Sequence, residues 1–228
     1  MGVTKFAQNG LVRLGYEMNG EGEPVVVLLH GMLHDRVTMR PLADTLEHSA
    51  TVISMDLRGH GGSSAIHGVD LAISDLDADV LAVLDAAEIT APVVLVGVDL
   101  GSAIAQSLQA NHPDRIAGAV QINAFSAEMM DPDKLEDIAT RAYREQVEQA
   151  LGMWLDMSWG SDWRDVVPKP RIASARRSAG AIHPVLTALA KTDVAPTESI
   201  QLPGGTPFAK AEDVERVLAK VMPLISSK

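Results

Sequence analysis

The chain has 228 residues, 46% of them hydrophobic and 21% charged, the balance of an ordinary folded globule with one large core rather than of a disordered or membrane-embedded chain. A net charge of −11 argues against nucleic acid as a partner, because phosphate binding needs cationic patches, and the absence of cysteine excludes disulfides, thiolate metal sites and cysteine nucleophiles. No apolar run approaches the roughly 18 residues of a membrane helix, and the first five residues lack a signal-peptide pattern, so a cytoplasmic protein without a membrane partner is expected.

Residues 11–18, between Asn9-Gly10 and Asn19-Gly20, read as a strand bounded by turn signals. Residues 24–30 are continuously apolar up to His30, as in a parallel strand covered on both faces. Met39, Leu42 and Leu46 share one helical face within 37–47, and strand character returns at 51–56. Ser74 and Asp77 resemble a capping box for a helix whose apolar stripe is Leu76, Val80, Val83, Leu84 and Ala87. A strand at 92–96 runs into Gly97, a helix at 101–111 follows, and 115–123 is a further strand. Alternating strands and helices predict an α/β, doubly wound, mostly parallel sheet.

After Phe125 the alternation stops. A long helical stretch over 131–155 carries Leu135, Ile138, Ala142, Val147 and Leu151 on one side, and all three tryptophans, Trp154, Trp159 and Trp163, cluster at or just beyond its end. The expected organisation is a core of residues 1–124 and 181–228 with a small helical cap at 125–180. Sheet character is expected again at 184–189 and 199–202, and an amphipathic helix at 212–224 closes the domain.

Gly97-Val98-Asp99-Leu100-Gly101 joins a buried strand to a helix. Glycines at both ends permit a turn sharp enough to lift the central side chain above the sheet edge. The Leu100 amide and the positive end of the following helix would then face any anion forming beside Asp99. A second amide donor is expected from the loop after His30-Gly31, at Met32.

Leu29-His30-Gly31, Asp56-Leu57-Arg58-Gly59-His60-Gly61-Gly62-Ser63, the Asp99 turn and Asn111-His112-Pro113-Asp114-Arg115 occur in the order and approximate spacing of the α/β-hydrolase superfamily, which residues 25–124 resemble. Aspartate at the turn is similar to haloalkane dehalogenases and epoxide hydrolases, where a carboxylate attacks an electrophilic carbon and a histidine-activated water hydrolyses the resulting ester. The chain departs from those relatives in having Leu100 where a halide-holding tryptophan usually follows the aspartate. Tyr143 is the single tyrosine of the expected cap.

The resemblance implies a histidine just before the last helix, but Pro207 occupies that position in Pro203-Gly204-Gly205-Thr206-Pro207. Lys210 is the nearest ionisable replacement. The acid partner would be Asp193 or Glu128, the two positions such relatives use. His30 is expected to brace the loop, His34 to point toward the pocket, His60 and Arg58 to stabilise their glycine-rich loop, and Trp154 and Trp159 to line an apolar site.

The expected activity is therefore a hydrolase acting on a small apolar molecule through a halide, epoxide or ester bond, with no cofactor and no metal. Two alternatives stand beside it. One is a cofactor-free lyase, decarboxylase, cyclase or isomerase using Asp99 as general acid or base; the other is a ligand-binding homologue that has lost the triad.

Overall fold

Every residue of β3 (Val25–Leu29) is buried, because helices cover both faces of the sheet at this strand. Val25, Val27 and Leu29 enter one apolar core while Val26 and Leu28 enter the other, the side-to-side alternation of an extended chain. β5 (Val93–Val98) divides likewise, with Val93 and Leu95 on one side and Val94, Val96 and Val98 on the other. The computed structural model describes residues 3–66, 70–124, 131–192, 198–202 and 207–226.

The remaining strands are β1 (Lys5–Asn9), β2 (Val12–Asn19), β4 (Thr51–Met55) and β6 (Ile116–Ile122). They form a mixed six-stranded sheet in the order β1-β2-β4-β3-β5-β6, antiparallel from β1 through β2 to β4 and parallel from β4 onward. The helices α1 (Arg40–Leu46) and α9 (Ala211–Ser226) pack Leu42, Leu46, Val214, Val217 and Val221 into one core. On the other face lie α2 (Ile73–Ala86) and α3 (Leu100–Asn111), through Leu76, Val80, Val83, Ile104 and Leu108. This is the doubly wound α/β architecture expected from the alternation of strands and helices.

The helical region is α4 (Pro132–Tyr143), α5 (Val147–Trp159), α6 (Trp163–Val166), α7 (Lys169–Arg177) and α8 (Ile182–Ala190). The stretch expected as one long helix breaks between α4 and α5, where Glu145 takes a positive φ of 62°. A larger correction concerns residues 184–189, expected as sheet. They form α8, which packs on α4, with Pro184 in the first turn, where its missing N–H has no helical partner to lose. Within 199–202 sheet pairing is confined to Ile200, which bridges Ile122 in parallel. The cap of α2 is also displaced: Asp75, rather than Asp77, accepts the Ala72 N–H at 2.8 Å, while Asp77 accepts the Ser107 hydroxyl of α3.

Candidate active site

The turn between β5 and α3 is fixed by what its glycines exclude. A Cβ on Gly97 would stand 2.2 Å from the Gly101 carbonyl oxygen, and one on Gly101 would stand 2.2 Å from that of Leu29. Between them Asp99 has φ 53° and ψ −110°, a strained conformation for a residue with a side chain. Its N–H donates to the Ile122 carbonyl at 2.9 Å, and the carbonyl oxygen of Asp99 accepts from Ser102 N at 2.9 Å. The Ser102 hydroxyl completes the clamp by donating to Gly97 O at 2.7 Å. β6 and α3 thus both anchor Asp99, and Ser102 ties α3 back to β5.

Asp99 is 7% exposed, and burial pushes its carboxyl up to about 7, because the charged form loses hydration. Hydrogen bonding from the backbone amides of Met32 and Leu100 draws that value back down. Oδ1 of Asp99 is buried without a hydrogen-bond partner among the described residues. Asp99 lines a cavity of about 110 Å³ together with His34, Val98, Asn123, Ser158, Trp159, Gln201 and Leu202.

His30 and His60 hold the loop that carries Met32. His30 Nε2 accepts the Leu57 N–H at 3.0 Å, which leaves Nδ1 protonated to donate to Gly31 O at 2.7 Å. His60 repeats the arrangement, accepting from Leu33 N at 3.0 Å and donating to Arg58 O at 3.0 Å. Burial lowers both imidazoles, His60 to about 3, so both stay neutral braces. Arg58 is itself held by two hydrogen bonds to Asp79, at 2.6 and 2.8 Å. Asp56 secures the other side of the loop, accepting from Arg36 N at 2.7 Å and Gly62 N at 2.8 Å and pairing with the Arg36 guanidinium. Position 61 must be glycine there, since a Cβ would fall 2.3 Å from the Asp56 carboxyl carbon.

The other expected site residues separate. His34 and Trp159 line the cavity, with ring centroids 5.3 Å apart. Trp154, expected beside them, is fully buried in the core instead, with Leu151 and Leu155 of the same helix. Lys210, expected as a replacement base, points to solvent with Nζ 3.4 Å from the Glu212 carboxylate. Its backbone N–H meets Asp213 Oδ2 at 3.4 Å, so the residue belongs to the start of α9 and not to the cavity. Pro207 is buried. Asp193 and Glu128 lie outside the described residues. Among the described residues no cluster of three or more His, Asp or Glu side chains is placed to hold a metal ion, and no helix is long and apolar enough to cross a membrane.

Three cavity residues had no sequence signal of their own. Asn123, with φ 48°, clips the 199–202 segment to the sheet: its Nδ2 donates to Leu202 O at 2.9 Å and its Oδ1 accepts from Leu202 N at 2.7 Å. That clip brings Gln201 to the cavity. Ser158 arrives from the end of α5 with its hydroxyl buried and without a partner among the described residues. No motif contains these positions, because they meet only where β6, α5 and the 199–202 segment cross.

Residues 24–170 match the family model described as alpha/beta hydrolase fold, and the chain belongs to that family. It is similar to the pimeloyl-(acyl-carrier protein) methyl ester esterase of Chromobacterium violaceum, at 36% identity over 61% of this chain and 52% of that protein. It is also similar to the pyrrolizixenacetamide deacetylase of Xenorhabdus hominickii, at 29% identity over 73% of this chain and 53% of that one. The chain thus spans about half the length of these curated relatives. Its fold resembles that of the enol-lactonase from Burkholderia xenovorans LB400, with a TM-score of 0.72, 20% identity, and coverage of 98% of this chain and 100% of that one.

Proposed function

We propose that the chain is a hydrolase cleaving a halide, epoxide or ester bond in a small apolar molecule, with Asp99 as nucleophile. The observation that carries this reading is the buried Asp99 carboxylate on its strained turn, with Oδ1 unpartnered among the described residues at the wall of the cavity. The curated relatives, named as a methyl ester esterase and a deacetylase, support bond hydrolysis in general.

At an electrophilic sp3 carbon, Oδ1 attacks and the leaving group departs with the bonding pair, giving an ester between the substrate carbon and Asp99. Water then adds to the Asp99 carboxyl carbon. In this reading the Met32 and Leu100 amides hold the oxygen that becomes negative in this step and act as an oxyanion hole. Collapse breaks the bond to the original Oδ1, so the product alcohol leaves with an oxygen from Asp99 and the regenerated carboxylate keeps one from water. In this reading residues 125–180 act as a cap, with α5 supplying Ser158 and Trp159 to the apolar and polar walls.

The test is a single turnover in heavy-oxygen water with n-butyl bromide, styrene oxide and p-nitrophenyl acetate as probes, followed by mass analysis of the peptide containing Asp99. Turnover of the bromide or the epoxide with one heavy oxygen in Asp99 is the expected result. No turnover of any probe overturns the reading. A second reading is favoured by the carboxyl value near 7, which suits a group that gives and takes protons at neutral pH: Asp99 as general acid or base in a cofactor-free lyase or decarboxylase reaction. Turnover without label in Asp99 would select the general acid or base role over the nucleophile.

A further inference from the structure

The reaction proposed above needs a base for its second step, and the position where the family resemblance implies one is Pro207. Three histidines are buried around the Met32 loop, and they divide sharply. His30 and His60 have both ring nitrogens engaged by backbone groups. His34 is 1% exposed, and neither of its nitrogens has a hydrogen-bond partner among the described residues.

Burying an imidazole with both nitrogens unsatisfied costs stability, and native structures keep such groups at few places. Here His34 lines the cavity with two other residues that each carry an orphaned buried atom, Asp99 at Oδ1 and Ser158 at Oγ. Packing orients it in place of hydrogen bonds: the Trp159 ring lies against it at 49°. The next residue anchors the backbone, since Asp35 accepts from Ser174 Oγ at 2.6 Å and Val37 N at 3.2 Å, with Arg171 3.8 Å away. At roughly 30 Å³ per water, the cavity of about 110 Å³ has room for a water beside a small reacting group.

The geometry points to His34 as the base that activates the hydrolytic water, with Ser158 Oγ holding that water, in place of the histidine absent at position 207. The inference rests on Asp99 being the nucleophile. A ring nitrogen of His34 takes a proton as the water oxygen bonds to the Asp99 carboxyl carbon. It returns that proton to the departing alkoxide oxygen as the bond to Oδ1 breaks. Burial, with the positive charge of Arg171 nearby, holds His34 well below the ordinary imidazole value, so its nitrogens are unprotonated and able to accept at neutral pH.

The experiment compares His34→Leu and His34→Asn with the parent chain, using styrene oxide and n-butyl bromide. Because no hydrogen bond is lost, His34→Leu should melt at or above the parent temperature while steady-state turnover falls by roughly 100-fold or more, the usual contribution of a positioned base. Mass spectrometry should show the Asp99 ester accumulating in both variants, and added imidazole should restore part of the turnover to His34→Asn. Turnover within about threefold of the parent in both folded variants overturns the role of His34 and leaves Asp99 as nucleophile untouched. Absence of label in Asp99 of the parent chain, in the heavy-oxygen experiment above, overturns the nucleophile reading and this inference with it.

Discussion

Gly31 lies directly against Asp99. A Cβ built at position 31 would stand 3.0 Å from the Asp99 Cβ and 3.1 Å from its Oδ2, closer than side-chain carbons normally approach. Gly31→Ala must therefore displace the carboxylate, since the turn on the other side is pinned by Gly97 and Gly101. The contact calls for a shift of a few tenths of an ångström, and since about 1 Å at a reacting group costs roughly 100-fold in rate, a shift of this size is worth about 10-fold or less. The expected outcome is a loss of that order in kcat/KM, with the fold destabilised by about 1–3 kcal/mol through overpacking. Kinetics on the styrene oxide probe together with urea unfolding would measure both; unchanged kcat/KM would show that the carboxylate position does not matter.

The burial of Asp99 makes stability depend on pH with a definite sign. Its carboxyl value rises from 3.8 in the unfolded chain to about 7 in the folded one. Below 3.8 the group is protonated in both states and contributes nothing. Between 3.8 and about 7 the unfolded chain ionises while the buried folded group stays protonated, so stability falls as pH climbs through that window, and above about 7 both states are ionised and the loss levels off. Asp99→Asn removes the ionisation. At 1.36 kcal/mol per pH unit, the variant should exceed the parent by ~4 kcal/mol at pH 8 and by roughly 2 kcal/mol at pH 5. Urea unfolding at the two pH values checks this; the same gap at both would mean that Asp99 is not the group responsible. If Asp99 is the nucleophile, the parent's kcat/KM should also rise with pH through about 7, as the carboxylate forms.

What the sequence revealed of this site follows from how local its causes are. The Asp99 turn was legible because its glycines sit two residues either side of it and its constraint is steric. The bracing roles of His30, His60 and Arg58 followed from their place in glycine-rich loops. Residues 184–189 misled because a short apolar run, Pro184-Val185-Leu186-Thr187-Ala188-Leu189, fits a buried helix as well as a strand, and only the packing of α8 on α4 decides between them. Lys210 misled because closeness in sequence to position 207 says nothing of where a long side chain points. Asn123, Ser158 and Gln201 carried no signal, since distant segments crossing in space bring them together.

The bracing of the Met32 loop reaches back to Asp79, and that chain of contacts yields a further expectation. Asp79 has a side chain only 1% exposed, while the Arg58 it pairs with is 15% exposed. Asp79 also accepts from Asn9 Nδ2 at 2.8 Å. Asp79→Ala leaves the Arg58 guanidinium without its carboxylate and the Asn9 amide without its acceptor, and breaking a buried pair from one side usually destabilises by about 3 kcal/mol or more. For a chain of this size the melting temperature should fall by roughly 6–12 °C. Because the Arg58 carbonyl accepts from His60 and His60 accepts from Leu33, loosening Arg58 should also loosen the Met32 amide that faces Asp99. Arg58→Lys should reproduce part of the loss, since an ammonium cannot make the paired contacts of a planar guanidinium. Calorimetry on the two variants, with hydrogen exchange at residues 31–34, provides the check. A drop of under ~1 kcal/mol for Asp79→Ala, in the range of exposed surface pairs, would place this pair among the dispensable ones.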